Sequence, residues 1–306
     1  MLRKVYFILQ EETRNRLAGM AEPLLKELAG HSVRVEGIRK PWMDAEPADG
    51  EESFKCLTEM VQCAGNKEEI LYITDEAVCY GIFKKMGCYV LPYLHRGNQS
   101  ASFPGAAYAI EQLEEMDYEA FDMAYRRLAG LPWQILTTRR CLVRESTVQD
   151  VEVFYRIYQE KSITEYMEDL FEDPEEEIAY TKEYIDKVYG FYGYGMWTVI
   201  DKASGQIIGR AGITWREGFD LPELGFVIGV PWQRQGYAYE VCSSILAYAR
   251  EELGMTQVQA LVMEGNDKSA ALCEKLGFAK EAGRVELEGE NYMIWVKNFE
   301  GMQSIP

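Results

Sequence analysis

The chain has 306 residues, with 32 Lys and Arg against 50 Asp and Glu and a formal net charge of −18. That length exceeds what one hydrophobic core usually serves, so two domains are expected. The acidic excess, without any Lys/Arg block, excludes general binding to nucleic acid or to an anionic membrane and favours a cationic acceptor such as an amine.

The apolar stretch Leu2–Leu9 meets charge at Glu11 and is too short for a signal peptide, and no apolar run reaches membrane-spanning length. Cys56, Cys63, Cys79, Cys88, Cys141, Cys242 and Cys273 form no C-x-x-C pair, which points to reduced thiols and a cytoplasmic protein. With His31 and His95 as the only histidines, neither a metal centre nor a His-based triad is expected.

In chain order the first part reads as a strand at Lys4–Leu9, a helix at Glu12–Leu28 and a strand at Ser32–Ile38. A loop at Pro41–Glu52, a helix at Phe54–Ala64, a buried strand at Ile70–Asp75, a helix ending at Lys85–Gly87 and a strand at Cys88–Tyr93 follow. This alternation predicts a small parallel-sheet, Rossmann-like domain. A helix over Asp117–Ala129 stops at Gly130-Leu131-Pro132-Trp133, which sets domains at 1–134 and 135–306.

The segment Leu71–Glu115 resembles the second half of the haloacid dehalogenase-like hydrolases. Ile73-Thr74-Asp75 stands where their strand-terminal acid stands, Lys84–Leu91 matches their glycine-containing run, and Tyr108–Glu114 matches their closing strand and helix start. The first strand lacks the D-x-D nucleophile, and position 79, where a second metal-holding acid belongs, is Cys79. A lone carboxylate assembles no Mg²⁺ site and forms no phospho-aspartate. The domain is therefore expected to be non-catalytic, with a pocket for a small anion as the alternative.

The second part reads as a helix at Val148–Glu160, an acidic loop at Glu168–Glu177, a helix at Glu175–Tyr189 and an aromatic-glycine run at Tyr189–Trp197. Strands at Met196–Asp201 and Gln206–Trp215 flank the turn Ser204-Gly205, and a strand at Glu223–Val230 follows the loop Arg216–Pro222. A helix at Tyr239–Leu253, a strand at Val258–Met263, a helix stopped by Gly277 and a closing strand at Tyr292–Lys297 complete a mixed α/β sheet.

The junction Val230-Pro231-Trp232-Gln233-Arg234-Gln235-Gly236-Tyr237-Ala238 carries the most chemistry. A strand that ends in Q-x-x-G-x-A and passes into a helix gathers backbone N–H groups around one point, with the helix dipole behind them. Gly236 removes the Cβ that would block an anion, and Ala238 keeps the first turn slim. Neither a Lys-Ser/Thr nor a three-glycine spacing is present, so nucleoside triphosphate and dinucleotide loops are disfavoured. Downstream, Asn266 to Phe278 continues as N-x-x-S-x-x-L-x-E-K-L-G-F with Cys273 in its middle.

Together these segments resemble the acetyl-CoA-binding core of the GNAT superfamily of N-acetyltransferases over roughly Ile135–Phe299, nearest the branch that acetylates α-amino groups of ribosomal proteins, with Arg139–Glu145 as the opening strand. The resemblance implies a GNAT mixed α/β domain and acetyl-CoA as co-substrate, with no metal. It assigns the cofactor to Phe226, Val227, Ile228 and Val230 of the strand, to Gln233, Arg234, Gln235, Gly236, Tyr237 and Ala238 of the loop, and to Asn266 and Ser269, Asn266 being equally a helix cap.

Acetyl transfer to an amine needs a neutral amine, donors for the oxyanion and a proton for the departing thiolate. Glu223 matches the position where many GNAT enzymes hold the base; the alternative is a strand-edge carboxylate that only orients the substrate. Asp220, Glu217 and Glu264 are lesser candidates. The oxyanion is assigned to backbone N–H groups of Phe226–Ile228, because in the family this strand splays from its neighbour. Cys273 stands where many members carry the acidic tyrosine, so the general acid is unassigned. Tyr192, Tyr194, Trp197 and Trp215 are the aromatic candidates for the acceptor pocket, with core packing as the alternative for the cluster around Trp197.

An α-amino group is roughly a tenth neutral at pH 7, whereas a lysine is neutral in well under about a hundredth of molecules. A single carboxylate base suits the former. The expected activity is N-acetyl transfer to a protein N-terminus or small amine; a non-enzymatic acyl-CoA sensor or partner-docking protein is the alternative, and the sequence leaves oligomeric state open.

Overall fold

The computed structural model describes residues 1–18, 21–36, 50–167, 169–287 and 289–299. The chain divides into two compact units, Met1–Leu131 and Pro132–Pro306.

The first unit runs β1 (Lys4–Ile8), α1 (Glu11–Ala18), α2 (Ala21–Gly30), β2 (Arg34–Glu36), α3 (Gly50–Ala64), β3 (Ile70–Thr74), α4 (Ala77–Lys85), β4 (Tyr89–Pro92) and α5 (Tyr118–Leu128). Its strands form a parallel sheet in the order β2-β1-β3-β4. All five residues of β3 are buried because helices cover both faces. The period-2 alternation sends Val5, Phe7, Leu71 and Ile73 to the face shared with Leu28, Phe121 and Tyr125, and Tyr6, Ile70 and Tyr72 to the face shared with Val61, Tyr80 and Phe83.

The helix expected over Glu12–Leu28 is two helices, with residues 19 and 20 outside the described residues. The expected Pro41–Glu52 loop lies outside them up to residue 49, and from Gly50 the chain is helical. The closing strand expected within Tyr108–Glu114 reduces to one parallel bridge, Tyr93 to Ile110.

At the carboxyl end of β3, the Asp75 side chain is fully buried and already engaged. Its Oδ1 accepts from the N–H of Gln10 at 3.0 Å, and its Oδ2 stands 3.2 Å from His95 Nε2. Cys79 is buried, its thiol donating to Glu76, and burial pushes that thiol far above its ordinary pKa. Among the described residues no three His, Cys, Asp or Glu side chains converge as a metal site.

The second unit runs β5 (Gln134–Thr137), β6 (Cys141–Glu145), α6 (Val151–Tyr158), α7 (Lys161–Thr164), α8 (Pro174–Tyr184), α9 (Gly190–Tyr192), β7 (Met196–Asp201), β8 (Ile207–Thr214), β9 (Glu223–Ile228), α10 (Tyr237–Glu251), β10 (Gln257–Met263), α11 (Asp267–Lys275), β11 (Ala279–Leu287) and β12 (Glu290–Asn298). The sheet order is β11-β12-β10-β9-β8-β7-β6-β5, with β9–β10 parallel and the remaining pairs antiparallel.

The helix α10 buries the stripe Val241, Cys242, Ile245, Leu246 and Ala249, spaced at one to four residues, against Trp197, Val199, Ala211 and Ile213. Val241, Ile245 and Leu246 each contribute about 1.5–3 kcal/mol when fully buried. The opposite face of the sheet meets α6 and α7 through Val227, which packs with Ile157, Tyr158 and Ile163. The fold is thus an α/β chain with a small parallel sheet followed by a larger mixed one. Edge strands β5 and β11 escaped the sequence reading: β11 is largely exposed and lacks the apolar alternation that marks a half-buried strand. No helix among the described residues is long and apolar enough to cross a membrane.

Candidate active site

The site is made by two strands that begin as neighbours and part. β9 and β10 pair in register only at Glu223 and Gln259, where the Gln259 N–H donates to Pro222 O at 2.8 Å. Beyond that point β9 stays on β8, with Arg210 opposite Val227, Gly212 opposite Gly225 and Thr214 opposite Glu223. The Gly229 N–H donates to Ile208 O at 2.8 Å, which fixes the phase of the antiparallel ladder. Val227 and Gly225 therefore turn their backbone groups to β8, while Phe226 and Ile228 turn theirs to the gap. Of the three residues expected to offer N–H groups there, Val227 is excluded by this alternation.

The gap opens into a cleft of about 1090 Å³. At one end lies the loop between β9 and α10. Arg234 and Gly236 both take left-handed backbone angles, φ 59° and 81°, so the chain folds back on itself and turns its amides inward. The N–H groups of Arg234, Gln235, Gly236, Tyr237 and Ala238 have no protein acceptor among the described residues. Five free amides thus gather at the start of a 15-residue helix, an arrangement whose partial positive charge suits an anion. Gln233 and Gln235 act as pins: their side-chain amides donate to Ile228 O at 2.9 Å and to Pro231 O at 2.7 Å.

Arg140, which gave no signal in the sequence, braces the same loop. It donates to Gln235 O at 2.9 Å and to Glu240 at 2.7 Å, and its guanidinium lies 4.0 Å over the Tyr237 ring. Burial would raise the Glu240 carboxyl, but hydrogen bonds from the Arg140 backbone, Thr138 and the guanidinium outweigh it and hold the group below its ordinary value.

At the other end Glu223 is buried, 8% exposed, and accepts from Arg216 Nε–H at 2.9 Å. The side-chain amide oxygen of Asn266 accepts from Ser269 N–H at 3.1 Å, so Asn266 caps α11, and both residues line the cleft. Gln233, Arg234, Gly236, Tyr237 and Ala238 line it too; Val230 and Gln235 do not. Glu217 lies on the lining, whereas Asp220 does not, and Glu264 is paired with Arg284 at 3.2 Å.

Two expectations need correction. Trp197 is completely buried and meets Tyr248 of α10 edge-on, because strand alternation points it to the α10 face, away from the acceptor side. It is core. Tyr192 and Tyr194 are off the cleft lining, but Trp215 lies on it, half exposed, with its indole N–H donating to the Tyr194 hydroxyl. Cys273 is fully buried in the core, where burial pushes its thiol up to about 12, so it is a packing residue.

Residues 140–279 match the family model described as the acetyltransferase (GNAT) domain. Two curated relatives from Bacillus subtilis (strain 168) align with the chain. One, named uncharacterized N-acetyltransferase YoaA, is 28% identical over 150 residues, 48% of this chain and 84% of its own. The other, uncharacterized N-acetyltransferase YnaD, is 25% identical over 147 residues, 48% of this chain and 83% of its own. Among solved structures, the ribosomal-protein-S5-alanine acetyltransferase of Vibrio fischeri is 16% identical with a TM-score of 0.47, covering 54% of this chain and 96% of that one. The diverging strands and the amide-lined loop of the second unit both lie within residues 140–279, the stretch that matches the acetyltransferase (GNAT) domain model.

Proposed function

We propose that the second unit moves an acetyl group from acetyl-CoA to a primary amine, a protein N-terminal α-amino group or a small amine. The observation that carries this reading is the union, in one cleft, of an unpartnered amide cradle with a strand gap that ends at a buried carboxylate. The fit is chemical as well as steric: a pyrophosphate satisfies the amides of Arg234–Ala238, and an amide-bearing pantetheine arm satisfies Phe226 and Ile228 as a strand would.

Acetyl-CoA supplies an activated acyl group and a thiolate leaving group. The chain does the rest. Phe226 and Ile228 present backbone groups that orient the thioester carbonyl. Glu223 receives the ammonium proton, and the Arg216 guanidinium holds that carboxylate in place. Trp215 and Met167 line the acceptor side of the cleft. For the first unit we propose a non-catalytic role, because Asp75 already satisfies Gln10 and His95.

The test is thiol release from acetyl-CoA across a panel of amines and N-terminal peptides, with the product identified by mass. Amine-dependent release supports the reading. Tight acetyl-CoA binding with no release against any amine overturns it in favour of an acyl-CoA sensor.

A further inference from the structure

The same cleft holds a cation that neither the loop nor Glu223 requires. Arg210 lies in β8 and shares the α6 face with Val227 opposite it. Its guanidinium stacks 4.6 Å from the Phe154 ring. Its Nε is buried without a hydrogen-bond partner, and no carboxylate among the described residues reaches ion-pair distance of it. What surface Arg210 retains opens into the cleft.

A buried guanidinium with an unmet donor is costly unless something fills it. Burial opposes its charge, but a guanidinium is basic enough to stay protonated, and the Tyr158 hydroxyl accepts from it while Nε remains unmet. A fixed planar fork facing a cavity is matched by a carboxylate. The pyrophosphate has its own cradle in the amides beyond β9 and needs no arginine here.

Arg210 and Glu223 line the same cavity and, by register, the same face of the sheet. They stand opposite Val227 and Thr214, four residues apart along β9, which spans roughly 13 Å between backbones. Gly225 lies between them, and a Cβ there would meet Met196 Sδ at 3.0 Å, so the floor is a flexible thioether and no branched side chain. The two ends thus offer a carboxylate for an ammonium and a guanidinium for an anion.

Resting on the acetyltransferase reading, we propose that Arg210 receives a carboxylate of the acceptor, so that the preferred amines carry an acidic group set several atoms from the nitrogen. That carboxylate comes either from a small amino acid or from an acidic side chain near a peptide N-terminus.

The experiment compares acceptors that differ only in carboxylate against amide: amino acids of graded chain length against their amides, and peptides with Glu against Gln in the second position. Parent, Arg210→Met and Arg210→Lys proteins are assayed at saturating acetyl-CoA, with fold checked by circular dichroism. The parent should prefer carboxylate members by roughly 10- to 100-fold in kcat/KM, the range for a hydrogen bond to a charged group. Arg210→Met should lose that preference and Arg210→Lys keep part of it, while amide members and acetyl-CoA affinity stay within about threefold. The arm showing the preference identifies the source.

Equal use of acid and amide by the parent overturns the inference, as does an Arg210→Met effect equal on both members or one that falls on acetyl-CoA affinity. Calorimetry of the same pairs in the presence of CoA reads the preference without turnover. Carboxylate-selective binding without acetyl transfer would therefore sink the transferase reading and spare the site, and transfer without selectivity would do the reverse.

Discussion

Gly236→Asp separates the anion cradle from the stability of the fold. Gly236 caps α10 with φ 81° and ψ 6°, where an L-residue costs about 1–2 kcal/mol. An aspartate at a helix N-cap returns about 0.5–1 kcal/mol by accepting from the free amides. Its Cβ would lie 3.5 Å from Arg140 Nη2, close enough for partial compensation. The net loss in stability is about 1 kcal/mol, a shift of a few degrees in Tm for a unit of this size. Binding suffers far more. A carboxylate about 5 Å from one phosphate charge repels it by about 3 kcal/mol at an effective dielectric of about 20, and it also consumes the amides that the phosphate needs. Acetyl-CoA affinity should fall on the order of 100-fold or more. Isothermal calorimetry, with circular dichroism to confirm the fold, measures both terms. An affinity within threefold of the parent in a folded variant would show that the loop does not hold the pyrophosphate.

Three other outcomes follow from the same geometry. Glu223→Gln should retain acetyl-CoA affinity and lower turnover by roughly 10²- to 10⁴-fold, with part of the rate recovered at high pH as the amine deprotonates unaided; a pH–rate series showing turnover within threefold at neutral pH would rule out the base. Asp150 accepts from Arg144 at 2.6 and 2.8 Å, and against the opposing effect of burial its hydrogen bonds hold the carboxyl below its ordinary value. Its stabilisation is therefore present above about pH 4 and lost as pH falls through the depressed folded value, so Asp150→Asn should cost roughly 3 kcal/mol at pH 7 and progressively less in acid, as denaturant titration at a series of pH values will show. The first unit should give no Mg²⁺-dependent hydrolysis of phosphate esters, and activity abolished by Asp75→Asn would overturn its non-catalytic assignment.

The sequence by itself determined the alternating elements of both units and the tight, amide-exposing turn at Gln233–Ala238. Those readings rest on local physics: apolar periodicity, a glycine where the backbone must turn left-handed, and a helix start that leaves amides free. It also located Glu223, ten residues before Gln233, because strand and loop are contiguous. Tertiary structure decided what depends on which way a side chain points and what lies across a strand. Trp197 and Met196 are neighbours in sequence, yet one is core and the other lines the cleft, since a strand sends successive residues to opposite faces. Likewise Val227 was indistinguishable from Phe226 and Ile228 until the β8 register showed which amides are spent. Arg140, Arg210 and Arg216 looked like ordinary charges in an acidic chain. Only the folded chain put the first against the loop at Gln235, the second against Phe154 of α6 and the third, across the β8–β9 turn, on Glu223.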